Sequence, residues 1–208
     1  MTAPRIAVLG ASGAVGRLLV AQALVRGLDV TALARDPGRI PAPDGPRLTK
    51  VAADVHDPAS VEAALKGVDV LVSGLGVSKG GPPGTLAAGA RAVVASGVGR
   101  IVWLGAFGTG ESARAGGAVT RALLKVVMGS ELPDKVAADG AVLAAGGTVF
   151  HAGPMLGRPA RGGHRIVPLD QAPRRVFPAG ISRAAVAAAM LDETVAPLHP
   201  GRTVVPLE

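Results

Sequence analysis

Short runs of Val, Ile, Leu and Ala alternate along the chain with stretches where apolar residues recur every three or four positions. Ile6–Leu9 predicts a buried strand. Val15, Leu18, Leu19 and Ala23 follow at helical spacing, and Gly27 closes that helix. A second strand is expected from about Asp29 to Ala34 and a third around Leu48–Ala52. Asp57 before Pro58 makes a helix start, the Asp side chain capping and Pro in first position, with Gly67 as the stop. Asp69–Ser73 reads as a fourth strand, Thr85–Ser96 as a helix and Arg100–Leu104 as a fifth strand. These strands are continuously apolar, as when helices cover both faces of a parallel sheet. Repeated βα units with short turns predict a single α/β domain, a doubly wound, mostly parallel Rossmann-like sheet.

Beyond residue 104 the pattern loosens. Helices are expected around Thr120–Met128 and from Pro133 or Asp134 to about Ala145, then a sixth strand over Thr148–His151. Pro154–Pro178, rich in Gly, Pro and Arg, predicts a substrate-side excursion with one or two short strands. Ser182 is expected to cap a helix over Arg183–Glu193, and Thr203–Val205 to close the sheet. No internal repeat or linker interrupts the 208 residues.

The most informative segment is Gly10-Ala11-Ser12-Gly13-Ala14-Val15-Gly16, which leaves the first strand and opens the first helix. The first Gly permits a tight turn, and the others let backbone approach a pyrophosphate and let helix pack on strand. The helix N-terminus adds free N–H groups and partial positive charge. Gly10, Ser12, Gly13, Ala14 and Val15 are therefore expected at a dinucleotide.

The end of the second strand bears on which dinucleotide. A carboxylate there holds the ribose 2′-OH of NAD, whereas a guanidinium suits the 2′-phosphate of NADP. The strand ends in Arg35, with Arg39 one turn on, which favours NADP; Asp36 is the alternative, NAD-type acid. Asp54 and Val55 after the third strand either reach the adenine or, for Asp54, cap the loop. Leu75 and Gly76 follow the fourth strand, where small residues let the chain pass close to a ribose.

Composition narrows the chemistry. There is no Cys, which excludes disulfides, a thiolate metal site and a cysteine nucleophile and fits a reducing, cytoplasmic setting; there is no Tyr, which excludes a tyrosine acid. The formal charge is +7, but the basic residues are scattered and aromatics are only 2%, so a nucleic-acid partner is not expected. No stretch is long and apolar enough to predict a membrane span. No His spacing suggests a metal.

The Gly turn, the Ala-Arg-Asp at the second strand and Ile181-Ser182-Arg183 with its Ala-rich helix resemble the atypical short-chain dehydrogenase/reductases of the NmrA-like NAD(P)H-binding family. The resemblance is closest to the NADPH-dependent flavin reductase/biliverdin-IXβ reductase branch. It runs from Ile6 through Arg35, Arg39, Asp54-Val55, Gly76, Ala106-Phe107 and Pro154 to Ser182. It implies NADPH as cofactor, a permissive substrate face, and flavins as transient substrates, not held groups. It also places Gly105, Pro154 and Met155 beside the nicotinamide and makes Phe107 and Met155 candidates for the substrate face. Gly105 stands where that branch carries Ser, and Met155 where it carries His, so biliverdin reduction is not implied.

With Tyr absent, two acid candidates remain. His151, at the end of the sixth strand, has a side chain able to donate or accept a proton but is also the kind of residue that satisfies a backbone carbonyl. Lys135-x-x-x-Asp139 has helical spacing near the expected site, and its plainer reading is an exposed i,i+4 ion pair. Trp103 reads as core. Hydride transfer to a flavin or similar planar acceptor needs little acid–base help, which makes it the enzyme reading most tolerant of this residue set. Gly108–Ser130, with Gly110, Gly116 and Gly117 as hinges, is a candidate loop over the acceptor. The alternative is an NADP(H)-binding redox sensor that turns nothing over. The oligomeric state is open.

Overall fold

The computed structural model describes residues 3–77, 81–109, 112, 131–173 and 179–208. β1 (Ile6–Leu9) lies inside an eight-stranded sheet. On one side come β2 (Val30–Ala34) and β3 (Leu48–Ala52); on the other, β4 (Val70–Ser73), β5 (Arg100–Ala106), β6 (Thr148–Ala152), β10 (Thr203–Leu207) and β8 (Arg165–Pro168). Neighbours run parallel except for β10 and β8. The doubly wound, mostly parallel sheet is therefore present. β10 does not close it, because β8 of the expected excursion pairs antiparallel along its free side, Val205 opposite Val167.

Burial on both faces accounts for the continuous apolar runs. Ile6 and Val8 join one core, with Leu19, Val20 and Ala23 of α1 (Gly16–Val25) and Val186 and Met190 of α5 (Arg183–Val195). Ala7 and Leu9 join the other, with Val61 of α2 (Pro58–Ala64), Ala90 and Val93 of α3 (Thr85–Ala95), and Ala138 and Val142 of α4 (Leu132–Ala144). The Gln22 side-chain amide donates to the Ala184 carbonyl at 3.0 Å, tying α1 to α5.

Ser182 caps α5 as expected, its Oγ accepting from Ala185 N–H at 3.1 Å. Asp57 does not cap α2 with its side chain; the Ser60 hydroxyl instead donates to the Asp57 carbonyl at 2.7 Å. β7 (Met155–Leu156) and β9 (Ile181–Ser182) form a separate parallel pair. Near it the Glu208 carboxylate accepts from Arg161 N–H at 2.5 Å, Arg158 Nη2 at 2.7 Å and the Ser182 hydroxyl at 3.1 Å, tying the excursion to the start of α5. β5 runs past its expected end, so that Gly105 and Ala106 pair with His151 and Ala152 of β6. The helix expected at Thr120–Met128, and Gly110, Gly116 and Gly117, lie outside the described residues. No described helix is long and apolar enough to cross a membrane.

Candidate functional site: a dinucleotide cavity at the strand-order switch

The strand order reverses between β1 and β4, and ligands of such sheets sit beyond the carboxyl ends of the strands at that point. A cavity of about 490 Å³ opens there. Its floor is the turn after β1. Gly10 has φ +74°, and a Cβ on it would stand 3.0 Å from the Leu75 Cα; a Cβ on Gly16 would collide with the Gly10 carbonyl. Only Gly at both positions lets the turn fold down onto α1 and lie against β4. Among the described residues the N–H groups of Ser12, Ala14 and Val15 have no hydrogen-bond partner, and the first turn of α1 carries no acidic residue. That leaves an open set of donors at the positive end of a helix, a fit for a diphosphate.

Gly10, Ser12, Gly13, Ala14 and Val15 all line the cavity, as do Arg35, Arg39, Asp54, Val55, Leu75 and Gly76. Asp36 is occupied elsewhere. Its Oδ1 accepts from Gly38 N–H at 3.0 Å and caps the short turn Pro37–Arg39. Asp54 caps its loop, Oδ1 accepting from His56 N–H at 2.9 Å, and the residue also lines the cavity.

At the far end Gly105, Met155 and Lys135 line the cavity. Two residues expected at this end are not among those that line it. Phe107 is buried at 8% exposure and is not among the lining residues; its N–H donates to the Ala152 carbonyl at 2.8 Å, extending the strand pairing inward. Pro154 is not among them either; its carbonyl accepts from Ile181 N–H at 3.1 Å and supports the β7–β9 pair.

Lys135 and Asp139 do not form the expected exposed pair. Lys135 Nζ lies 3.3 Å from Glu131 Oε2, one turn earlier on α4. Asp139, 5% exposed, turns toward the sheet. Its Oδ2 lies 3.0 Å from His151 Nε2 and accepts from Thr109 Oγ1 at 3.0 Å. His151 is 2% exposed, sits behind Gly105 and is not a lining residue, so its ring meets Asp139 and Ser112 Oγ, at 2.7 Å.

The sequence reading passes over several lining residues: Trp103, His56, Asp139 as a cavity group, and Arg183. Arg183 follows the Ser182 cap directly, and the β7–β9 pairing brings it beside Gly157. His164 and His199 are bound to Asp192 and Glu193, at 2.7 and 2.8 Å. Among the described residues no group of His, Asp or Glu suits a metal ion.

The sequence matches the family described as NAD(P)H-binding over residues 10–197. The chain belongs to that family. Solved structures share its fold over nearly their whole length. A Burkholderia pseudomallei protein, to which an exported location is ascribed, is 28% identical with a TM-score of 0.80, over 99% of this chain and all of that one. A short-chain dehydrogenase/reductase from Veillonella parvula, in complex with NADP, is 18% identical with a TM-score of 0.80, over 100% and 95%. A Streptococcus pneumoniae protein, to which NADH-flavin reductase activity is ascribed, is 17% identical with a TM-score of 0.78, over 99% of both chains. In this NAD(P)H-binding chain the glycine turn, the strand-end arginines and the donors at the start of α1 share one cavity.

Proposed function

We propose that this chain is an NADPH-dependent reductase that passes hydride to a flavin or a similar planar small molecule, the flavin being a transient substrate. The observation that carries the cofactor choice is the charge beyond β2. Arg35 and Arg39 line the cavity, while the Asp36 carboxylate is committed to Gly38 N–H. A 2′-phosphate would meet guanidinium groups, whereas Asp36, the acid that would hold a bare 2′-hydroxyl, is not among the lining residues. The NADP held by the Veillonella structure supports the same reading.

Bound NADPH supplies the hydride chemistry. The protein's part is to hold and to exclude. The N–H groups of Ser12, Ala14 and Val15 grip the diphosphate, and Leu75 and Gly76 let the chain pass close to the second ribose. Gly105, Ala106, Ala138 and Met155 form a wall of small or adaptable side chains at the ring end, against which a flat acceptor can stack with water expelled. The flavin reductase activity ascribed to the Streptococcus relative fits such a wall.

The test is loss of dihydronicotinamide absorbance with FMN, riboflavin and a quinone offered in turn, from NADPH and from NADH. Turnover with at least one acceptor, faster from NADPH, is expected. Tight NADPH binding without turnover assigns the chain instead as a non-catalytic NADP(H)-binding regulator, and preference for NADH overturns the cofactor choice.

A further inference from the structure

Gly105 has a neighbour that a side chain would displace. A Cβ there would stand 2.8 Å from Asp139 Oδ1 and 2.9 Å from His151 Cδ2. The Asp139 carboxylate thus fills the room behind the end of β5, at the edge of the cavity that both residues line. Its Oδ1 is buried and, among the described residues, has no hydrogen-bond partner. An ionised carboxylate rarely keeps one oxygen in that state unless a proton, or a donor brought by a ligand, completes it.

The surrounding hydrogen bonds single out that oxygen. Ser112 Oγ accepts from Gly108 N–H at 2.7 Å and donates to the Thr109 carbonyl at 2.9 Å. The same hydroxyl lies 2.7 Å from His151 Nδ1, and turned that way it donates to the ring. Nε2 then donates to Asp139 Oδ2 at 3.0 Å, which leaves Oδ1 as the atom for a carboxyl proton to complete. Among the described residues the other charged groups at this end are Lys135, engaged with Glu131, and Arg183 beside Gly157.

We propose that Asp139 is the proton donor to the acceptor, and that His151 positions and recharges it. This rests on the reductase reading and narrows it to acceptors whose reduction ends in a new O–H bond, quinones above all. The C4–H bond of the dihydronicotinamide breaks and hydride carries its electron pair to one quinone oxygen. Asp139 gives its carboxyl proton to the other, so that NADPH, quinone and one proton become NADP⁺ and hydroquinone. Asp139 is left as carboxylate beside imidazole, and one proton from solvent restores the pair.

The first experiment needs no turnover. Calorimetric titration with NADP⁺ and with NADPH, in buffers of different ionisation heat, reads the protons released on binding. The 2′-phosphate contributes equally to both, so the difference reports the ring end, where a cationic nicotinamide favours the Asp139 carboxylate. NADP⁺ is expected to release more protons than NADPH, and Asp139→Asn and His151→Asn each to abolish the difference. Equal release in the native chain, or a difference that survives Asp139→Asn, overturns the proposal. In turnover with a quinone, Asp139→Asn is expected to lower kcat about 100-fold while NADPH still binds. Should that variant not fold, the native chain still decides: its quinone turnover must slow in D₂O, and an unchanged rate overturns the proposal. Failure of the native chain to oxidise NADPH with any acceptor removes the reductase reading itself, a result distinct from unaltered turnover in the variant.

Discussion

Asp134 Oδ1 accepts a hydrogen bond from the backbone N–H of Ala87 at 2.9 Å. Its other oxygen accepts from Leu86 N–H at 3.0 Å, so a side chain in the first turn of α4 caps α3. α3 needs that help, because its own cap position is Gly84, which has no side chain to offer.

Replacing Asp134 with Ala uncaps α3 from a distance. The expected loss is about 1–2 kcal/mol in denaturant unfolding. For a chain of this size it lowers Tm by roughly 2–4 °C per kcal/mol.

Gly16→Ala places a methyl group against the Gly10 carbonyl. The turn has to open, at a cost of about 1–3 kcal/mol. Titrations followed by cofactor fluorescence are expected to show NADPH and NADH weakened alike, since the diphosphate is common to both.

Arg35→Ala separates the two cofactors. A hydrogen bond to a charged group contributes about 1.5–3 kcal/mol, so the Kd for NADPH is expected to rise about ten-fold or more. NADH, lacking the phosphate, should be nearly unaffected. Equal losses would assign Arg35 to something other than the 2′-phosphate.

The Glu208 carboxyl is held at about 2, below its usual 4.5, chiefly by the Arg161 N–H and also by Arg158 and Ser182. A lowered folded-state value means a stabilising contribution fully present above pH 4.5 and lost as pH falls from there toward 2. Acid unfolding should therefore steepen in that window. Glu208→Gln should flatten it, while its stability at neutral pH falls below that of the native chain.

The strands and the phosphate turn were legible in the sequence because their causes are local: an apolar run of four or five residues, and glycines at fixed spacing after it. Arg35 was legible for the same reason, since it ends a strand that can be counted. Asp139 was not. Helical spacing puts it on the face of α4 that carries Lys135, but its partner is set by β6, which brings His151 alongside from twelve positions further on. Arg183 reaches the cavity only because β9 pairs with β7, and Phe107 is withdrawn because β5 outruns its apolar core to pair with Ala152. Such placements depend on tertiary pairing between segments distant in sequence.

The bond from Gln22 to Ala184 spans 162 positions. The helix that begins the nucleotide cradle is roofed by one made 162 positions later. During synthesis, the outer face of the first crossover thus stays wet until residue 190 or so has emerged, and loops of that length close slowly. A chain stopped short of α5 would leave the ribosome with that face of α1 uncovered.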